Sequence, residues 1–322
     1  MFTFIKNAFA DKDTRRRIFF TLFVFAVFRL GSHIPVPGVR VSAINTFAES
    51  GLLGLLNTFG GGALKRFSLF AMGVSPYITA SIIIQLLQMD IVPKFTEWAK
   101  QGEVGRRKLN QWTTYVAIAL GLVQSYGIAL GFNRMARLGL IANPTTMRYL
   151  TIALILTAGS MFLVWLGEMI TRSGVGNGLS MIIMAGIVAE VPKELMGYLQ
   201  RHLVNGGDHA MTNMLSLAAI ILVIVILIVI IVLMERARLR IPIHYSKKAS
   251  GARYSAHLPL KINSAGVIPV IFASSFITTP QMIFSFVTVD RTNPWMDFLV
   301  QLFDYQTLYG VIFYTVLLIA FT

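Results

Sequence analysis

Residues 58–89 read TFGGGALKRFSLFAMGVSPYITASIIIQLLQM, and this stretch is too interrupted to be one ordinary transmembrane helix. Gly60, Gly61 and Gly62 open it, Lys65 and Arg66 interrupt it, and Gly73 and Pro76 break its middle. Beyond Pro76 the few polar side chains are small or uncharged. Lipid offers no hydrogen-bond partners, so broken backbone persists at membrane depth only where protein buries it or water reaches it. The stretch predicts a short, polar-edged half-helix over about 63–71, a hinge at 73–76 and a membrane helix over about 74–89. Segments of this kind mark transport pathways. A re-entrant loop that fills a bundle for packing alone is the competing reading.

Composition places the stretch in a membrane bundle. The 322 residues are 55% hydrophobic and only 13% charged, as in a polytopic membrane protein. With no cysteine there is neither a disulfide frame nor a thiolate metal site. The N-terminus, MFTFIKNAFADKDTRRR, lacks the apolar core and small-residue cleavage site of a signal peptide.

Apolar runs that span a bilayer, or nearly so, cover 18–30, 74–89, 113–132, 149–170, 179–191, 214–234, 266–287 and 307–322. A span needs about 20 residues, so the first and fifth are short and draw on flanking residues 31–37 and 174–178. Arg29, inside the first run, is costly in lipid and is expected to face protein or snorkel outward. Lys and Arg alternate in density between successive loops. One side holds eighteen, in the N-terminus, in loop 90–111, at Arg172 and in loop 235–264; the other side holds seven. The positive-inside rule puts the N-terminus and both large basic loops in the cytoplasm.

Those basic loops have two readings. They set topology and touch anionic headgroups, or they dock a polyanionic or acidic partner through Arg106, Arg107, Lys108, Arg236, Arg238, Arg240, Lys247 and Lys248. The second loop is longer than topology demands and mixes Arg with Tyr245, Tyr254 and His257, which favours docking.

Catalytic chemistry is hard to find. The ionisable groups read within the spans are Arg29 and, near one end, Glu168. The five histidines lie in loops or at span edges without metal-ligand spacing, and GVGNG (174–178) resembles a phosphate loop only superficially. No paired membrane carboxylates indicate ion coupling. Neither an enzyme, a cofactor nor a metal is expected. Small residues (Gly121, Gly127, Gly131, Gly159, Ser160) permit close helix approach. A pathway lined by Ile and Val would seal against ions by dewetting.

Four motifs carry a resemblance: GGALKRFSLFAMGVSPYITASIIIQLLQ, KQGEVGRRKLNQWTTY, FLVWLGEMITRSGVGNGLSMIIMAGIV and HLPLKINSAGVIPVIFASS. They are similar to the SecY family, central subunits of bacterial protein-conducting channels, and nearest to the Gram-positive type. The likeness runs in order through essentially the whole chain.

The resemblance implies an all-α polytopic bundle of two inverted halves, with a ten-helix hourglass pore of which about eight helices are present. It implies a cytoplasmic N-terminus (1–17), a first half (18–191) and a second half (192–322) that lacks the family's last two spans. The plug would comprise Ala63, Leu64, Lys65, Arg66, Phe67, Ser68, Leu69, Phe70 and Ala71. The pore ring would be Val74, Ile78, Leu179, Ile183 and Ile271; each, taken alone, reads more readily as core packing. A lateral gate between the second and seventh spans would use Ser75, Thr79, Ser81 and Gln85 against Asn263, Ser274 and Ser275. The family further implies the small subunits SecE and SecG, the SecA motor ATPase or the ribosome, signal sequences and secretory polypeptides, membrane lipids, and a multi-pass place in the bacterial plasma membrane. A secondary transporter shares broken helices and inverted repeats. It requires midplane polar groups, which these spans scarcely supply. A passive scaffold leaves residues 58–76 unexplained.

Overall fold

The computed structural model describes residues 10–40, 57, 60–89, 91–135, 141, 144–200, 210–243, 256–261, 268–286, 294–304 and 307–322. Each apolar run forms the body of a helix. These are α1 (Lys12–Gly31), α2 (Ser75–Leu87), α4 (Glu103–Met135), α5 (Thr146–Ser173), α6 (Gly178–Leu199), α7 (Ala210–Arg236), α8 (Ile268–Phe286) and α10 (Leu308–Phe321). Two short helices lie outside the runs, α3 (Pro93–Lys100) and α9 (Pro294–Leu302). Among the described residues, Glu103–Asn133, Thr146–Ser173 and Leu215–Arg236 are each long and apolar enough to cross a membrane alone. The fold is all-α and polytopic, with one small addition noted below.

Local chemistry sets the helix ends. Asp11 caps α1, its carboxylate accepting from the Thr14 N–H at 3.2 Å and from the Thr14 hydroxyl at 2.5 Å. Asn177 does the same for α6, accepting from Ser180 N–H at 3.4 Å. Pro76 stands in the first turn of α2, where a missing N–H costs nothing. It begins that helix rather than breaking it, so the expected hinge narrows to Gly73.

The chain divides into two compact units, Met1–Pro192 with Ile271–Phe321, and Lys193–Val270 with Thr322. In the first, α4 packs on α2 and α5. Gly121 lets α4 approach Thr157 of α5, where an added Cβ would stand 3.0 Å from its methyl. Gly178 of α6 lies against the carbonyl of Gly167 of α5, leaving no room for a side chain. The Thr21 hydroxyl on α1 accepts from Val175 N–H at 3.1 Å and ties the 174–178 connection to the first helix.

In the second unit, α7 is apolar all round and exposed along Leu215–Arg236. Such a surface suits lipid rather than water. Loop 235–264, read from the sequence as a long basic loop, carries an antiparallel ribbon. Strand β1 (Arg238–Ile243) pairs with β2 (Ala256–Lys261), Arg238 opposite Lys261 and Ile243 opposite Ala256. Pro242 and Pro259 fit because a two-stranded ribbon has only edges, where a lost donor faces outward.

Candidate functional site

Residues 60–74 form the centre of the first unit, and they are not the half-helix expected over 63–71. They fold as successive tight turns: Phe67 N–H donates to Leu64 C=O at 3.0 Å, Ala71 N–H to Ser68 C=O at 3.0 Å, and Gly73 N–H to Phe70 C=O at 2.8 Å. The physical reason lies in the backbone. Gly61, Gly62 and Gly73 take φ of +64, +76 and +56, and Phe67 takes +43; these left-handed values interrupt any right-handed helix. At Phe67, with no glycine to relieve it, the conformation costs about 1–2 kcal/mol. Its ring is fully buried and stands edge-on to Phe132, which holds it there.

The segment satisfies its backbone by borrowing partners. Val36 N–H donates to Phe67 C=O at 2.9 Å and Leu69 N–H to Ile34 C=O at 3.0 Å, forming a bridge between Pro35 and Ser68. The Ser160 hydroxyl donates to Gly73 C=O. Of the two outcomes expected for Arg29 it takes the first, facing protein, and its Nη1 donates to Gly61 C=O at 3.2 Å. Broken backbone is thus met by protein.

Both faces of the segment are apolar and buried. Leu64, Phe67, Ala71 and Met72 join Ile128, Phe132, Ile152 and Leu156 of α4 and α5. Ala63, Phe70 and Val74 join Val24 and Phe28 of α1, Leu163, Val164 and Ile170 of α5 and Ile182 of α6. Phe70 lies between Phe28 and Phe162, at 6.1 Å from each ring.

The second cluster also gathers residues proposed for a ring. Val74 is buried in it, and Ile78, Leu179 and Ile183 pack against it. Four residues from α6 and the start of α2, more than a hundred positions apart, thus meet beside Ala63 and Phe70. Ile271 stands in α8, its side chain outside the described residues, and Asn263, Lys247 and Lys248 are outside them too.

One charged residue escaped the sequence reading. Glu190, near the end of the fifth apolar run, is buried and faces Arg66, Oε1 to Nη2 at 3.6 Å. It follows Ile183 by seven residues, two helical turns along the same face. A carboxylate at that spacing in an apolar run was the available signal. Glu168, the acid that was singled out, pairs instead with Arg172 at 3.8 Å on the surface. Among the described residues no three His, Cys, Asp or Glu side chains converge for a metal.

The polar residues expected to face one another across a gate are satisfied locally on α2. Thr79 donates to Ser75 C=O at 3.1 Å and Gln85 donates to the Ser81 hydroxyl at 3.3 Å. Ser274 lies half-buried on α8, and Ser275 is in the same helix with its side chain outside the described residues.

The basic loop after α2 carries α3 (Pro93–Lys100) and the start of α4 (Glu103–Met135). Lys94 and Lys108 place their ammonium groups 5.8 and 5.7 Å from the Trp98 ring, and Phe95 packs between Trp98 and Trp112. Arg106, Arg107 and Lys108 are exposed, Arg107 pairing with Glu103 at 3.1 Å. Arg236 and Arg238 are exposed at the end of α7 and the start of β1, and Arg240 continues β1.

Comparison with known proteins gives this arrangement a family. The family model described as SecY matches residues 68–322. "Protein translocase subunit SecY 1" of Lactobacillus kefiranofaciens is 48% identical over 324 residues, covering 100% of this chain and 75% of the relative. The protein translocase subunit SecY of Bacillus licheniformis is 49% identical, and that of Bacillus subtilis 48%, each over 326 residues and at the same coverage. Among solved structures, a protein conducting channel is similar at TM-score 0.60, and Sec61 in the canine ribosome-channel complex at 0.58. Both are 21% identical, and the match covers 84% of this chain and 58% of theirs. Identity near one half over the whole chain, with the family model matching 68–322, is decisive: the chain belongs to the SecY family.

Proposed function

We propose that the chain is the pore-forming subunit of a protein translocation channel, passing unfolded secretory polypeptides across the membrane and releasing membrane segments sideways into lipid. The observation that carries this reading is the packing of segment 60–74. An irregular, glycine-hinged stretch fills the space beside Val74, Ile78, Leu179 and Ile183. Bounded by glycine hinges and built of tight turns rather than helix, the segment can be displaced without breaking any long helix. In this reading it is the plug. Once it leaves, the aliphatic ring, completed by Ile271, closes around the moving chain and stays sealed to ions.

The channel performs no chemistry and works by gating. A signal sequence opens it to the extent that it binds the open state more tightly than the closed one. The lateral gate runs between α2 and α8, with Ser75, Thr79 and Gln85 facing Asn263, Ser274 and Ser275 once the helices rearrange. SecE and SecG brace the bundle, and the ribosome or SecA docks on α3–α4 and on loop 235–264. The protein sits in the bacterial plasma membrane with its N-terminus in the cytoplasm.

The test places a photo-crosslinking residue at Ile183 and asks whether a stalled secretory polypeptide crosslinks there. A crosslink that needs a functional signal sequence is expected. No crosslink at Ile183, Ile78 or Ile271 returns the chain to the class of small-solute transporters.

A further inference from the structure

We propose that Glu190 is a positioning residue that latches segment 60–74 to α6, by neutralising Arg66. Two groups from α6 meet this segment: the backbone of Gly186 approaches Gly61, and the Glu190 carboxylate lies where a Cβ on Gly62 would stand. Three further ion pairs, Arg17–Asp13, Arg107–Glu103 and Arg172–Glu168, each join side chains one turn apart on a single helix. Arg66–Glu190 instead ties two stretches 124 residues apart in sequence, with side chains 24% and 7% exposed.

The geometry makes this a latch rather than a brace. At 3.6 Å the pair is an ion pair without a hydrogen bond, and both Arg66 Nη1 and Glu190 Oε1 lack hydrogen-bond partners. Such a pair contributes little net stability, because the cost of desolvating two charges offsets most of their attraction. When the segment leaves, both charges regain water, so opening the pair is not prohibitive. Removing one partner is different. Without Glu190, Arg66 is left half-buried without its counter-charge, in the segment that Arg29 also engages through Gly61. Two half-buried guanidinium groups then lie by neighbouring glycines, Arg29 at Gly61 and Arg66 at Gly62, with no carboxylate between them, and the segment relieves the repulsion by moving outward. Gating thus depends on the charge at 190.

The consequence for conductance rests on reading 60–74 as the plug; the latch itself does not. The chain has no cysteine, so Ser68→Cys, at a fully buried position, gives a single reporter of seating. Channels containing the full chain, in proteoliposomes, are labelled with a membrane-impermeant maleimide while ion conductance is recorded. Glu190→Gln is expected to raise the labelling rate about 10-fold, and Arg66→Gln/Glu190→Gln to return it towards the parent. If Glu190→Gln does not fold, Arg66→Gln and the double variant decide: raised labelling in Arg66→Gln that returns towards the parent in the double variant supports the latch, and equal labelling in the two overturns it. Unchanged labelling in a folded Glu190→Gln overturns the latch whatever the conductance does. Raised labelling with unchanged conductance supports the latch and removes the plug reading.

Discussion

Gly159 of α5 lies against the carbonyl oxygen of Leu69, so close that no Cβ fits between them. One residue on, Ser160 holds the Gly73 carbonyl. The small-residue pair read as helix packing thus serves a different partner: it receives the irregular segment rather than another helix. Gly159→Val is expected to cost about 1–3 kcal/mol through overpacking, and the cost falls on the seat of 60–74. A lower thermal midpoint together with raised ion leak is the expected result. A lowered midpoint with no leak would confine Gly159 to packing.

Gly73 and Pro76 are predicted to differ sharply. A Cβ on Gly73 has room, its nearest neighbour being Gly60 Cα at 3.8 Å, but φ of +56 costs a larger residue about 1–2 kcal/mol. Gly73→Leu therefore shifts gating, while Pro76→Leu, in the first turn of α2, leaves it within about 1 kcal/mol of the parent. Export rates of the two variants in cells decide this; equal defects would contradict the structural distinction.

Ile183 packs at the edge of the aliphatic cluster. Ile183→Asp is expected to wet the constriction and raise resting ion conductance, while Ile183→Leu leaves it unchanged. An unaltered leak in the Asp variant removes Ile183 from the ring.

Replacing Arg106, Arg107 and Lys108 by Glu is expected to weaken ribosome binding and to flatten its salt dependence by about one unit of slope per lost phosphate contact. Lys108 also leaves the Trp98 ring, which is worth about 0.5–1 kcal/mol at an exposed site. Binding curves at several salt concentrations, compared with those of Trp98→Leu, separate the two effects. Parental affinity in the triple variant would leave these residues with topology alone.

Asp11 offers a pH dependence at the start of α1. The Thr14 hydroxyl, then the Thr14 N–H, hold its carboxyl below the ordinary carboxylate range. A depressed folded value means that the cap is intact above the unfolded value of about 3.9 and is lost as pH falls through the folded one. Amide exchange in the first turn of α1 should accelerate only in that acid window, and Asp11→Ala should abolish the dependence.

Much of this architecture is legible in the chain. The eight apolar runs became helix bodies because period and length at that hydrophobicity admit no other backbone in lipid. The cost of Arg29 in lipid left it facing protein or snorkelling outward, and the structure takes the first, onto Gly61. The glycines at 60–62 and 73 marked where helix would fail. The turn structure between them was not legible, because Phe67 adopts φ of +43 only under pressure from Phe132 and the 34–36 backbone, which lie far away in sequence. Ribbon β1–β2 escaped for a similar reason: its strands hold prolines and are joined by twelve residues, too many for a two-residue hairpin signal.

Sequence alone determined the membrane class, the eight helices of the apolar runs, the break at 58–76 and the family, since each depends on local composition or on motifs read in order. Tertiary structure decided which residues meet. Only the fold brings Val74, Ile78, Leu179 and Ile183 to one cluster, turns Thr79 and Gln85 back onto α2, and sets Glu190 against Arg66. The reason is physical. Hydrophobicity and backbone preference act over a few residues, whereas the partner of a buried charge is chosen by the whole packing around it.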